Sequence, residues 1–381
     1  SYAVFCLKKD DVERFTFFCR AVLEMLPHID FWPDVIHMND WQTGLISVYL
    51  KLEHNEDVRY NKIKTVYTIH NLKYQGRFWK GYLPDVLGLD WKCFNNGDLE
   101  YFDDINFMKG AIVYSDKVTT VSRSYAKEIQ DPYYGEGLEG MLQKRDADLS
   151  GIINGLDYEE TDKYIFKNFD VHNAIAIKGD NKEQLQKKLG LPVNRKIPMI
   201  GMVTRLVEAK GLDLVTRILD ELLEYENVQF VILGTGDRQY EDWFKGLVWR
   251  YPKKVSANIF FNNELAHQIY AASDLFLMPS QYEPCGIGQL IALRYGTVPI
   301  VRATGGLKDT VEAYNNYTQT GNGFSFNNYN AHELLFSIKR AIDGIADDRK
   351  HIHLVENAMT ADYSWEESAK QYKELYNSLK A

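Results

Sequence analysis

Residues 275–309 read LFLMPSQYEPCGIGQLIALRYGTVPIVRATGGLKD. The apolar run Leu275 to Met278 is short enough for a buried strand, and Pro279-Ser280 breaks it. A single carboxylate, Glu283, stands between Tyr282 and Pro284, and Cys285-Gly286 leads into an apolar helical pattern from Ile287. A second strand, Val298 to Val301, ends at Thr304-Gly305-Gly306, where another helix opens. Two adjacent strand-to-helix junctions then point the same way, and each turns the free N–H groups of a helix start toward one crevice. One junction carries an acid. The other carries glycines that let a ligand approach backbone, so a sugar beside a phosphate suits the pair.

Working outward, the same alternation covers the second half. Strands are expected at 199–203, 228–233, 255–260, 275–278 and 298–301, with helices at 211–224, 238–250, 264–272, 287–295 and 307–313. Phe324-Ser325-Phe326 suits an edge strand, and helices at 331–345, 347–360 and 364–379 close the chain. Strand and helix in strict alternation imply a parallel sheet covered on both faces. The first half repeats the scheme more loosely. A helix at 10–27 ends at Pro27, strands follow at 34–38, 64–69, 118–121 and 149–153, residues 80–102 look irregular, and 103–115 look helical. Residues 155–196 are polar and lysine-rich and read as a linker with one helix near 181–190. The fold class is therefore α/β, with two doubly wound, Rossmann-like domains.

Composition excludes several functions. Hydrophobic residues make up 45% and charged residues 25% of 381 residues, the mixture of an ordinary globular chain. A net charge of −9 disfavours general nucleic-acid binding. The four cysteines, Cys6, Cys19, Cys93 and Cys285, lack metal-ligand spacing and read as buried thiols. No run approaches the ~18–20 apolar residues needed to cross a bilayer, so no membrane partner is expected. No metal and no cofactor is expected either.

Five groups of residues carry candidate chemistry. Arg205 and Lys210 flank the loop after the first strand of the second half; a planar fork and a point charge together can clamp a diphosphate. Glu283 can hold sugar hydroxyls or stabilise positive charge at an anomeric carbon. His70 ends a strand in the first half and can face such a carbon from the other side. Asp40, Asn71 and Asn154 also follow strand ends, where ligands bind in open α/β sheets. Gly234-Thr235-Gly236-Asp237 resembles a dinucleotide-type turn, which on its own is weak evidence.

Taken together, HMNDWQTGL (37–45), TIHNLKYQG (68–76), SGIINGLD (150–157), TRLVEAKGLDL (204–214), EPCGIGQ (283–289), TGGLKDT (304–310) and DYSWEESAKQY (362–372) resemble the bacterial glycogen synthases and plant starch synthases. Their order and approximate spacing agree along nearly the whole chain. The resemblance implies a GT-B architecture with the active site in an interdomain cleft. It places an acceptor-side domain at 1–170, a nucleotide-sugar-binding domain at 171–362, and a terminal helix, 363–381, that packs back on the first domain. It implies retaining transfer of glucose from ADP-glucose to the non-reducing end of an α-1,4-glucan. Arg205 and Lys210 then hold the diphosphate. Glu283, with the backbone of Cys285 and Gly286, holds the glucose, and Thr304, Gly305 and Gly306 approach the phosphate. His70 contacts the glucose; Asp40, Asn71 and Asn154 line its pocket; Phe261 lies near the adenine.

One departure stands out. The family opens with a K-x-G-G-L loop whose lysine reaches the donor phosphate, and nothing like it precedes Asp40. The first domain is therefore expected to lack its N-terminal segment, to expose a sheet edge and apolar helix faces, and to work more slowly than a full-length relative. Two alternatives stay open: a related enzyme with a UDP-glucose donor, and a non-catalytic glucan- or nucleotide-binding module. A cytoplasmic location is expected, or a plastid one for a plant or alga. Oligomeric state is not legible.

Overall fold

Two units, residues 1–153 with 369–381 and residues 154–368, make up the chain in a computed structural model. The structure describes residue 8, residues 10–162 and residues 169–380. The strand or ragged start expected at 1–9, and Cys6, lie outside the described residues, Lys8 excepted.

The first unit is built on a parallel sheet. Its strands are β1 (Val35–Asn39), β2 (Lys64–Ile69), β6 (Lys117–Thr120) and β7 (Leu149–Gly151), in that spatial order. Between β2 and β6 lie three short strands, β3 (Arg77–Trp79), β4 (Glu100–Tyr101) and β5 (Asp104–Asn106). Thr65 to Ile69 of β2 are all buried, as expected for a central strand covered on both faces. The core gathers Leu23, Leu45, Val48, Tyr49, Phe107 and Met108. β1 and β7 are the edge strands, and the helix Asp11–His28 leaves Phe17, Phe18 and Met25 exposed. Pro27 sits in the last turn of that helix rather than ending it.

Two expectations change here. Residues 80–102 are not simply irregular, and residues 103–106 are not helical: β3, β5 and β4 form an antiparallel sheet, and the helix starts only at Phe107. The β4–β5 turn uses Phe102 and Asp103, both at positive φ (49° and 67°), with no glycine to signal a hairpin.

The second unit carries a six-stranded parallel sheet. Its strands are β8 (Met199–Val203), β9 (Gln229–Leu233), β10 (Val255–Asn258), β11 (Leu275–Met278), β12 (Val298–Arg302) and β13 (Phe324–Phe326). The spatial order is β10-β9-β8-β11-β12-β13, a doubly wound sheet whose winding reverses between β8 and β11. The supposed linker is part of this unit. Its helix runs Ala174–Leu189, starting earlier than the pattern suggested, because Lys178 and Lys182 are interior. Lys178 is buried and donates to the carbonyls of Tyr270 (3.3 Å) and Ala271 (3.2 Å) and to Thr297 Oγ1. Lys182 pairs with Asp274 at 2.6 Å. No helix among the described residues is long and apolar enough to cross a membrane.

Candidate functional site

The reversal of winding brings the loops after β8 and β11 together, since these strands are neighbours while β9 and β10 lie to the other side. The backbone is locked by Gln281 N–H donating to Ala209 O (3.0 Å). A Cβ on Gly211 would lie 2.1 Å from Pro279 O, and Gly211 has φ +75°, so only glycine fits there. Lys210 and Glu283, 73 residues apart, thereby meet: Lys210 Nζ donates to Glu283 Oε2 at 2.6 Å. Buried Ser280 Oγ donates to the same oxygen at 2.9 Å. Glu283 is only 7% exposed, and its Oε1 accepts no hydrogen bond among the described residues.

The second junction packs on the first. Gly306 N–H donates to Glu283 O and Pro284 O, each at 3.1 Å. A Cβ on Gly305 would meet Glu283 O at 2.0 Å, and one on Gly306 would meet Cys285 O at 2.0 Å. These glycines let two backbones touch. The contact they make holds the acid-bearing turn in place, beside the ligand access that the sequence suggests. Thr304 occupies the N-cap position of the short helix Gly305–Thr310, without a side-chain capping bond, and is buried.

The backbone N–H groups of Cys285 and Gly286 have no partner among the described residues, and Gly286 has φ +74°. The Cys285 thiol is buried. Burial, with the charges of Glu283 and Asp309, pushes it up to about 12 against the pull of the Asn154 backbone N–H. The thiol is therefore inert, and what this residue offers a ligand is its backbone. Asn154 is thus brought to the Glu283 turn, within the same unit. Arg205 is exposed and makes no ion pair among the described residues; Phe261 is 90% exposed. The Gly234-Thr235-Gly236 turn braces the Arg205 loop: Leu206 N–H donates to Thr235 O (2.8 Å), and Asp237 N–H donates to Leu206 O (2.7 Å). Its glycines are explained by Thr204 O and Leu206 O, which a Cβ would strike at 1.8 and 2.3 Å.

In the first unit, Asp40 and His70 are brought together. Asp40 has φ +58° and ψ 177°, a conformation that costs a non-glycine residue on the order of 1–3 kcal/mol. It is held there by its N–H donating to Thr68 O (3.0 Å), and its Oδ1 accepts the His70 N–H (2.9 Å). Burial holds the Asp40 carboxyl above the ordinary range, against the His70 charge and the backbone N–H groups of His70 and Asn71. His70 Nε2 lies 2.9 Å from Asn39 Oδ1, and an N–H at Nε2 would donate to that oxygen. Asn71 Oδ1 accepts from Lys73 N–H (3.1 Å), which leaves its amide N–H₂ to reach outward. Asn39 and Ser280 orient His70 and Glu283, yet the sequence reading passed over both. Asn39 lies inside the stretch 37–45 and Ser280 three residues before Glu283, and no local pattern marks either as an orienting residue.

Comparison with known proteins followed the same division. Residues 3–144 match the starch synthase catalytic domain family, and residues 181–358 match the glycosyl transferases group 1 family. The glycogen synthase of Clostridium novyi is 55% identical over 375 residues, 97% of this chain and 78% of that one. The glycogen synthase of Clostridium perfringens is 56% identical over 374 residues, covering 97% and 77%. Among solved structures, the catalytic domain of starch synthase IV from Arabidopsis thaliana, bound to ADP and acarbose, superposes with a TM-score of 0.88. It is 36% identical and covers 98% of this chain and 78% of that one. Sucrose-phosphate synthase from Thermosynechococcus elongatus, 20% identical with a TM-score of 0.62, shares the fold.

Proposed function

The chain belongs to the glycogen and starch synthase family of glucosyl-transferring enzymes, with the GT-B fold, and we propose that it takes glucose from ADP-glucose and adds it to the non-reducing end of an α-1,4-glucan with retention of configuration. The observation that carries the reading is the Lys210–Glu283–Ser280 cluster at the point where the winding of the second sheet reverses. Open α/β sheets bind ligands there. The ADP in the starch synthase IV relative supports adenine as the donor's base.

In this reading the second unit binds the donor. Arg205 and Lys210 neutralise the diphosphate, one as a fork and one as a point charge. Glu283 Oε1 accepts a glucose hydroxyl while Oε2 stays anchored. The free N–H groups of Cys285 and Gly286 donate to the sugar, Thr304, Gly305 and Gly306 flank the phosphate, Asn154 lines the sugar pocket, and exposed Phe261 lies by the adenine. The first unit presents the acceptor, with His70, Asp40 and Asn71 on the reacting side of the glucose. Bond breaking leaves an oxocarbenium-like centre that His70 and nearby dipoles stabilise. The departing phosphate takes the acceptor hydroxyl's proton on the same face, which retains configuration without a covalent enzyme intermediate. The bacterial relatives support a cytoplasmic location.

Transfer of labelled glucose into glycogen tests the reading. Glu283→Gln keeps the shape and removes the charge; we expect a fall in kcat of about 10²–10³. Replacing ADP-glucose by UDP-glucose should lower kcat/KM sharply. Equal rates with the two donors would sink the donor assignment, and an unchanged rate in Glu283→Gln would sink the site.

A further inference from the structure

We propose that Tyr376 and His37 are positioning residues for His70, acting through a partly buried row of hydrogen bonds that ties the C-terminal helix (Trp365–Ser378) to β1 and β2 beneath the His70–Asp40 loop. The inference rests on the reading of His70 as a residue that touches the glucose.

The row runs across one face of the first sheet. His37 and Asn39 lie two apart on β1 and so face the same way. The β1–β2 register sets Asn39 opposite Thr68, and the β2–β6 register sets Thr68 opposite Thr119. His37 Nε2 lies 2.6 Å from Thr68 Oγ1, which in turn bonds Thr119 Oγ1. At the other end His37 Nδ1 lies 2.7 Å from Tyr376 Oη. Tyr372 and Tyr376, one helical turn apart, set their rings 5.4 and 5.8 Å from the His37 ring.

His37–Thr68 and Asn39–His70 are two successive diagonal rungs between the same pair of strands. The inner rung has no direct contact with a ligand group, but both residues that hold His70 come shortly after His37 along the chain. Asn39 is two residues along β1, and Asp40 donates its N–H to Thr68 O. A shift of β1 against β2 therefore moves Asn39 and Asp40 together, and His70 with them.

The chemistry of the row argues for alignment rather than simple docking. A neutral imidazole has one donor and one acceptor, and here both face hydroxyls that must hand protons in one direction along the row. Burial, with the charge of His70, pushes His37 down to about 4, so the ring is neutral when the enzyme works. Removing the tyrosine hydroxyl leaves one ring nitrogen unpaired and frees the inner rung. An apolar contact would cover the same surface without fixing the register.

Tyr376→Phe, Thr68→Val, His70→Ala and the doubles with His70→Ala test the proposal in the full chain. We expect Tyr376→Phe to lower kcat about tenfold, with the ADP-glucose KM within about twofold. In the His70→Ala background the same change should cost less than about twofold, because the row acts only through His70. Thr68→Val, which breaks the row on the other side of His37, should reproduce the pattern if Tyr376→Phe folds poorly. Nitrogen-15 NMR of the histidines supplies a readout independent of turnover: Tyr376→Phe should shift the His70 ring signals although the two side chains do not touch. Unmoved His70 signals overturn the proposal. Fully additive losses in the doubles also overturn it while leaving the His70 reading intact, whereas a harmless His70→Ala defeats that reading and the proposal with it.

Discussion

Lys210 and Arg205 both carry positive charge on one loop, but their surroundings separate them. Lys210 is mostly buried and donates to Glu283, whereas Arg205 is exposed and has no ion-pair partner among the described residues. Removing Lys210 leaves a buried carboxylate with only Ser280, so Lys210→Met should destabilise the fold by about 3 kcal/mol. Arg205→Met should change stability by no more than about 0.5 kcal/mol. If both hold the diphosphate as proposed, each should raise the donor KM at least about tenfold, since each then removes a charge-assisted bond. Thermal unfolding beside donor kinetics separates the two effects; equal melting losses would contradict the geometry. Residue types in motif order were enough to pick out Arg205, Lys210, Glu283, His70 and Asp40 as candidates. Ser280 and Asn39 were not legible, because a serine or asparagine beside a strand end has many local uses and only its partner in space selects one.

The helix Ala174–Leu189 shows why a polar segment is a poor guide to a linker. Lys178 is wholly buried, and burial with the nearby Lys182 charge pulls its ammonium down to about 7 against the attraction of Asp274. The unfolded lysine titrates near 10.4. Below pH 7 both states are protonated and the folded state bears the full cost of burying the charge. Between about 7 and 10 the unfolded chain binds the extra proton, so stability rises with pH across that window. Lys178→Met should abolish this rise, which melting temperatures of both proteins from pH 7 to 10 would reveal. A parallel pair of curves would mean that Lys178 stays charged when folded. The two glycine turns carry a related lesson. Gly306→Ala places a Cβ 2.0 Å from Cys285 O, so the turns must part. We expect lost activity and lowered stability together, rather than the activity loss alone that a ligand-facing glycine would give. Periodicity located these elements to within a few residues, but their packing partners reassigned what the glycines and lysines are for.

At the scale of the molecule, the first unit is discontinuous: residues 369–381 belong with residues 1–153. Tyr372 and Tyr376 contact His37 on β1, and Lys380 makes an ion pair at 2.7 Å with Asp34, the residue before that strand. Ending the chain at Ser368 should therefore loosen the first unit selectively. Hydrogen exchange should show faster amides in β1 and β2 and unchanged protection in β8 and β9. Uniform loosening of both sheets, or none, would refute that division.

The sequence by itself determined the fold class, the glycosyltransferase family and most of the candidate site, because strand and helix periods, breakers and motif order are local and survive being read one residue at a time. Tertiary structure alone decided strand order, and with it the meeting of Lys210 with Glu283 across 73 residues, the burial of Lys178 and the row from Tyr376 to Thr119. Such contacts depend on which strands become neighbours when helices cover both faces of a sheet, and a local pattern holds no record of that choice.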